Sequence, residues 1–343
     1  MASITKIIDS ALAGLKPRQK EVLGARFGLA KEGEGETLAA VGNRLKVTRE
    51  RVRQIEGSGI ALAKASMLKD QETMGFLERV RKYIASRGGA AKKADVLQYA
   101  ATLAKAVREN QLDFLAEVSG AFKLYREDAD FGPFYYTGDK ELKEAKAFVE
   151  GWVNFLKSHK EKVFTGSYET QLASFVKTKP LSDAVAGNYL GVAKHIHKNP
   201  YGDVGLRDWP EICPMTVRDK IYLVLKKHGK PLHFEDIAHH INKVGFDRQP
   251  ALAPTVHNEL IKDDRFVLVG RGLYGLREFG YEPGTAREVI AKVLKSEGPL
   301  TPPQLVAQVN KQRFFKPNTV LINLQNRAFF ERTPDGKYRV REA

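Results

Sequence analysis

Two periodicities alternate along this chain of 343 residues. Apolar residues three and four apart predict amphipathic helices, and short alternating runs around glycine predict hairpins. Near the N-terminus, Leu38, Val41 and Leu45 form one apolar stripe. Thr48 then stands where a side-chain oxygen caps a second helix, in which Val52 and Ile55 point inward. Arg49, Glu50, Arg53 and Gln54 are left on the outer face, with Lys46 and Arg51 beside them. Gly57 and Gly59 each weaken a helix by about 1 kcal/mol relative to Ala, so the pattern leaves the end of this helix open.

A repeated pattern follows. The apolar helices at 217–227 and 286–295 each run into a Gly, a Pro-Leu pair (Pro231, Pro299) and a second short helix. Each repeat closes in an alternating stretch, Phe266 to Leu276 around Gly270-Arg271-Gly272 and Phe329 to Val340 around Asp335-Gly336. Helix, short helix, helix and ribbon is the winged-helix order. Weaker versions lie upstream: helices over 76–86, 93–103 and 105–118 with a wing from 122–126 and 134–137, then helices over 144–159 and within 182–197 with a turn and wing over 199–209. The expected fold is mainly α with small β-hairpin wings. A helical domain over 1–70 precedes four modules at 71–140, 141–213, 214–280 and 281–343.

The outer-face side chains of the first domain suit DNA. An α-helix fits the major groove, where Arg pairs with guanine, Gln with adenine and Glu with cytosine. The run from Val47 to Glu56, with Leu15 to Leu29 upstream, resembles region four of housekeeping-type bacterial sigma factors, over residues 10 to 68. That resemblance implies a helix-turn-helix reading a −35 promoter element. It places base reading on Arg49, Glu50 and Gln54, phosphate or mixed contacts on Arg51 and Arg53, and Thr48 near the DNA backbone. Lys46 joins Arg51 as a phosphate anchor, and the outer surface of residues 17–29 is expected to meet the polymerase flap. No segment resembles the part of sigma factors that melts the −10 element, so a complete initiation factor is not expected.

Residues 216 to 278 resemble the HARE-type helix-turn-helix, which also occurs in the delta subunit of bacterial RNA polymerase. There Thr255, His257, Asn258 and Lys262 face outward, with Val256, Leu260 and Ile261 expected inside and Arg271 at the wing tip. Both DNA and a protein partner fit this face. In the last module Asn323, Asn326 and Arg327 are the candidate contacts.

Composition narrows the choice. The formal net charge is +15, which favours a polyanionic partner, since each neutralised phosphate releases counterions. Cys213 is the only cysteine, which excludes an intramolecular disulfide and a cysteine-based zinc site and fits a reducing cytosol. No apolar run is long enough to span a membrane, and no secretory signal is present, so a cytoplasmic, nucleoid-associated protein is expected. The histidine groups His195/His197 and His233/His239/His240 lack metal-site spacing, and the aromatic run 134–136 suits a self-packed wing better than base stacking. No phosphate loop or nucleophile elbow occurs. No cofactor, metal or catalytic residue is therefore expected. Double-stranded promoter-like DNA and RNA polymerase are the expected partners. The alternatives are a delta-like polymerase accessory protein and a DNA-processing enzyme of unrecognised active site.

Overall fold

A computed structural model describes residues 2–29, 34–161, 167–281, 284–312 and 315–341. It is mostly helical, with short strand pairs distributed along the chain. Packing divides it into two compact units, Met1–His197 with Gly205–Arg207, and Lys198–Val204 with Asp208–Ala343.

The first unit begins with β1 (Ala2–Ser3), α1 (Ile4–Leu12), α2 (Pro17–Arg26), α3 (Leu38–Leu45) and α4 (Arg49–Met67). Val22, Val41 and Val52 from α2, α3 and α4 are fully buried together, with Leu38, Leu45, Val47 and Ile55 packed around them. The stripe read from the sequence is thus the seam of the α3–α4 pair. The helix whose end glycine left open continues through both glycines for 19 residues. Gly59 is buried there, and a Cβ on it would lie 3.2 Å from Leu23 Cδ1 and 3.6 Å from Gln19 Cβ. Its missing side chain lets α4 lie close on α2, so packing outweighs the intrinsic penalty of glycine.

Next come α5 (Gln71–Ser86), β2 (Ala90–Lys92), α6 (Lys93–Leu103), β3 (Ala104–Lys105), α7 (Glu109–Ser119), β4 (Lys123–Tyr125) and β5 (Phe134–Tyr136). The sheet order is β2-β5-β4, all antiparallel. The third helix starts four residues later than the expected 105. Ala104 and Lys105 instead pair with β1, and the Gln111 carboxamide accepts the Arg108 N–H at 3.0 Å to open the helix. Phe134 and Tyr135 are buried, as a self-packed wing requires. One core runs without a break from Ile4, Ile7, Leu23, Ala63 and Met67 to Phe76, Phe114, Leu115 and Tyr135. Phe114 sits at its centre, edge-on to Phe27 with ring centroids 5.3 Å apart. Asn110 and Arg108 donate to the carbonyls of Gly28 and Leu29.

The unit continues through α8 (Asp139–Ser158), α9 (Tyr168–Lys177) and α10 (Asp183–Val192). Tyr189 on α10 donates to the Gly88 carbonyl at 2.6 Å. Gly88 lies at φ +84°, with Val185 against the place a Cβ would take. The hairpin β6 (Ile196–Lys198) and β7 (Val204–Leu206) flanks a turn closed by the Asn199 amide on the Asp203 carbonyl at 2.8 Å. The first strand of this wing therefore precedes the expected 199–209 segment.

The second unit holds α11 (Val217–His228), β8 (Leu232–His233), α12 (Phe234–Val244), α13 (Ala253–Lys262), β9 (Phe266–Gly270) and β10 (Leu273–Leu276). Their sheet order, β8-β10-β9, repeats the first-third-second arrangement of β2-β5-β4. The last elements are α14 (Ala286–Glu297), α15 (Pro302–Gln312), α16 (Pro317–Leu324), β11 (Phe330–Arg332) and β12 (Tyr338–Val340), with Leu300 bridging Tyr338. Each set closes its own core, around Ile221, Ile237 and Leu260 in one and Ile290, Leu305 and Val320 in the other.

Because Phe114 joins the N-terminal helices to the segment after them, Phe114→Ala is expected to cost about 3–5 kcal/mol. Hydrogen exchange should show α4 and α7 losing protection together. Loss confined to α7 would show that the core is divisible.

Candidate nucleic-acid interface

The interface is built by two capped helices and the turn between them. Thr37 Oγ1 accepts the Ala40 N–H at 3.1 Å and starts α3. The helix ends at Lys46, held in the left-handed region at φ 53°. Thr48 Oγ1 accepts the Arg51 N–H at 3.2 Å and starts α4. Only three residues separate the helices, and Gly42 makes so short a turn feasible: a Cβ on it would stand 2.8 Å from the Val47 carbonyl oxygen.

Burying Val52 fixes the rotation of α4, and the polar residues around it turn outward. Lys46, Thr48, Arg49, Glu50, Arg51, Arg53 and Gln54 are all exposed. They are partly tied to one another. Arg53 grips the Glu50 carboxylate through two hydrogen bonds of 2.9 and 2.7 Å, and Arg51 donates to Gln54 Oε1 at 3.1 Å. The bonds from Arg53, reinforced by its charge, hold the Glu50 carboxyl below the usual carboxylate range. Chemically the stretch offers cationic forks, an amide and an anionic acceptor, the groups that match base edges and phosphates.

Sequence reasoning missed how many basic residues of this domain are structural. Arg26 pairs with Glu56 at 2.9 Å and donates to the Glu36 carbonyl. Arg18 donates to the Leu45 carbonyl at 2.9 Å, and Arg44 bridges Glu21 and Glu36 at 3.2 and 3.3 Å. These arginines brace α2 against the end of α3 and the segment before it. The acidic residues at 21, 36 and 56 were the available signal.

The downstream candidates are placed less uniformly. Thr255, Asn258 and Lys262 lie on α13, where Lys262 is exposed and pairs with Glu259 at 3.3 Å. His257 is half-buried, its ring 4.7 Å from Phe234 and 5.9 Å from Tyr274. Arg271 is exposed between β9 and β10. Ile261, expected inside, is 64% exposed: Val256 and Leu260 occupy the buried face and Ile261 falls a third of a turn away. Asn323 donates to the Thr319 carbonyl of its own helix at 2.8 Å. Asn326 and Arg327 lie beyond the end of α16, where Asn326 accepts from the Ala328 amide at 3.2 Å.

His233 caps α12, and its ring occupies the space a Cβ on Gly272 would need. His195 bonds Asp130 at 2.9 Å. Among the described residues no group of His, Cys, Asp and Glu could hold a metal ion, and no helix is long and apolar enough to cross a membrane. Cys213 is half-buried beside Met215.

Comparison with known proteins places these features. Residues 11–61 match the family "Sigma-70, region 4", and residues 215–279 match the HARE-HTH family, whose description includes "restriction endonuclease HTH domain". The RNA polymerase sigma factor SigA4 of Synechococcus elongatus is 48% identical over 64 residues, 19% of this chain and 20% of that protein. The RNA polymerase sigma factor RpoD of Helicobacter pylori is 51% identical over 53 residues, 16% of this chain and 8% of its own. An RNA polymerase sigma-B factor of a Nostoc species is 49% identical over 55 residues, 16% of each chain. The chain thus spans a fifth or less of the curated relatives it matches. The N-terminal region resembles sigma-70 region 4, and a downstream region matches a HARE-type helix-turn-helix.

Two outcomes follow from the turn and the paired face. Gly42→Ala should force α3 and α4 apart at Val47 and destabilise the first unit by about 1–3 kcal/mol, measured by chemical denaturation. In an NMR titration the Glu50 carboxyl should protonate at lower pH than an isolated glutamate. Arg53→Ala should restore the ordinary value. Because the folded state lowers this pKa, the pairing is complete above the ordinary glutamate range and is lost as pH falls through the lowered value.

Proposed function

We propose that the protein is a sequence-specific DNA-binding transcription regulator that acts with bacterial RNA polymerase. Its first helix-turn-helix reads a −35-like element. The observation that carries the reading is the exposed stretch from Lys46 to Gln54, presented on a capped helix whose sequence matches sigma-70 region 4. Arg49, Glu50 and Gln54 take base edges. Arg51, Arg53 and Lys46 take phosphates or mixed contacts, and Thr48 sits near the backbone. Binding exchanges the Arg53–Glu50 and Arg51–Gln54 contacts for contacts to DNA, so those pairs orient the side chains beforehand.

The repeated first-third-second sheets and the helices packed on them support reading the remaining chain as winged-helix modules. The match over 215–279 supports a role for the third of these beside nucleic acid or polymerase. On this view the downstream modules extend the footprint or hold polymerase, and the protein works in the cytoplasm on the nucleoid.

The test is genome-wide DNA occupancy of the wild type against an Arg49→Ala/Gln54→Ala double variant, with affinity measured on the recovered site. Arg49→Ala alone should cost about 1–3 kcal/mol on the cognate site and relax preference at one base pair. Unchanged affinity and unchanged preference would sink the assignment. Recovery of polymerase without salt-sensitive binding to duplex DNA would favour an accessory protein that grips polymerase alone.

A further inference from the structure

The charge excess is not spread evenly. Residues 71–213 carry 21 Lys and Arg against 19 Asp and Glu, whereas residues 281–343 carry 11 against 6. Within that last module the end of α16 and the hairpin β11–β12 enclose a groove of about 690 Å³. Arg327, Arg332, Arg341, Gln325 and Tyr338 line it. Glu331 is the one acidic side chain in the lining, and Arg339 already engages it. Among the described residues none of the three lining arginines forms an ion pair. Arg341 donates one nitrogen to the Arg327 carbonyl at 2.9 Å, which leaves its other guanidinium N–H groups to point elsewhere.

Three guanidinium groups in one groove, with the acid neutralised, suit a ligand of repeated negative charge. Arginine's planar fork matches phosphate oxygens in pairs and is held with less entropy loss than lysine. The aromatic rings nearby are partly covered by protein. Tyr338 packs on the core and pairs across β12 to Leu300, and Phe329 lies under the Arg287 guanidinium at 4.4 Å. Single-stranded nucleic acid needs open rings on which bases stack, so the groove suits a duplex backbone instead. Arg327 is one of the candidate contacts of the last module. The structure puts it beyond α16, at the rim of the groove.

We infer that the groove lined by Arg327, Arg332 and Arg341 clamps the phosphate backbone of duplex DNA without reading its sequence. This is a second DNA-contacting surface, at the other end of the chain from the sigma-like helix pair, and it does not depend on what that pair recognises.

The experiment follows binding of the full chain to a random-sequence duplex by fluorescence anisotropy across a potassium chloride series. Each phosphate neutralised contributes about 0.9 to the slope of log affinity against log salt. Arg327→Gln/Arg332→Gln should lower that slope by about 2, and adding Arg341→Gln should lower it by about 3. The double variant leaves the Arg341 contact in place, which guards against a folding defect, and circular dichroism checks both proteins. Lysine at the same positions should retain most of the slope. An unchanged slope in the folded double variant overturns the proposal, as does loss of binding to single-stranded DNA or RNA with the duplex unaffected. Arg49→Ala/Gln54→Ala should abolish sequence preference and leave the random-duplex change intact. If that head variant changes nothing while the groove variants lower the slope, the promoter-reading assignment fails and the clamp stands.

Discussion

The first unit depends on one helix belonging to two cores at once. The N-terminal half of α4 buries Val52 against Val22 and Val41, and its C-terminal half buries Ala63 and Met67 in the core centred on Phe114. A helix held at both ends has little freedom to rotate or slide, because neither close-packed interior accepts a shifted side chain. The exposed stretch at Lys46–Gln54 inherits its orientation from that double burial. Gly59 is part of the same constraint, since a Cβ there would press on Leu23 at 3.2 Å and push α4 and α2 apart by a few tenths of an ångström.

The double burial also separates α7 from the other helices in equivalent positions. In each repeat the third helix precedes the hairpin, and in the first repeat of the second unit it keeps Thr255, Asn258 and Lys262 exposed. In α7 that surface is spent on packing: Leu112, Phe114, Leu115 and Val118 are buried, and the more open side carries Glu109, Asp113 and Glu117. A buried, acid-bearing helix cannot approach a phosphate backbone. Residues 71–213 as a whole carry a near-neutral charge.

Much of this was legible in the sequence, and what was not has a common physical cause. Leu38, Val41, Leu45, Thr48 and Val52 state the helix pair because their spacing and capping are local. The hairpins after 266 and 329 are local too. The core shared between α4 and α7 joins residues some fifty positions apart and leaves no periodic trace. Gly59 misled because helix propensity is weak against tertiary packing. The structural roles of Arg18, Arg26 and Arg44 were not legible because charge alone does not reveal a partner, and Glu36 and Glu56 lie on other segments. Ile261 was placed inside by a stripe drawn one residue too wide. The helix before Arg327 stops at Leu324, and nothing in Asn323–Arg327 marks that stop as Gly would.

The length of α4 has a geometric consequence. At about 1.5 Å per residue, its 19 residues form a strut of roughly 28 Å from the capped turn at Thr48 to the core at Met67. A flexible tether between these points would let them sample many separations and angles. A strut fixes both. Whatever holds the 71–136 segment in place therefore also sets the position and heading of Arg49, and the two ends of α4 move as a single body.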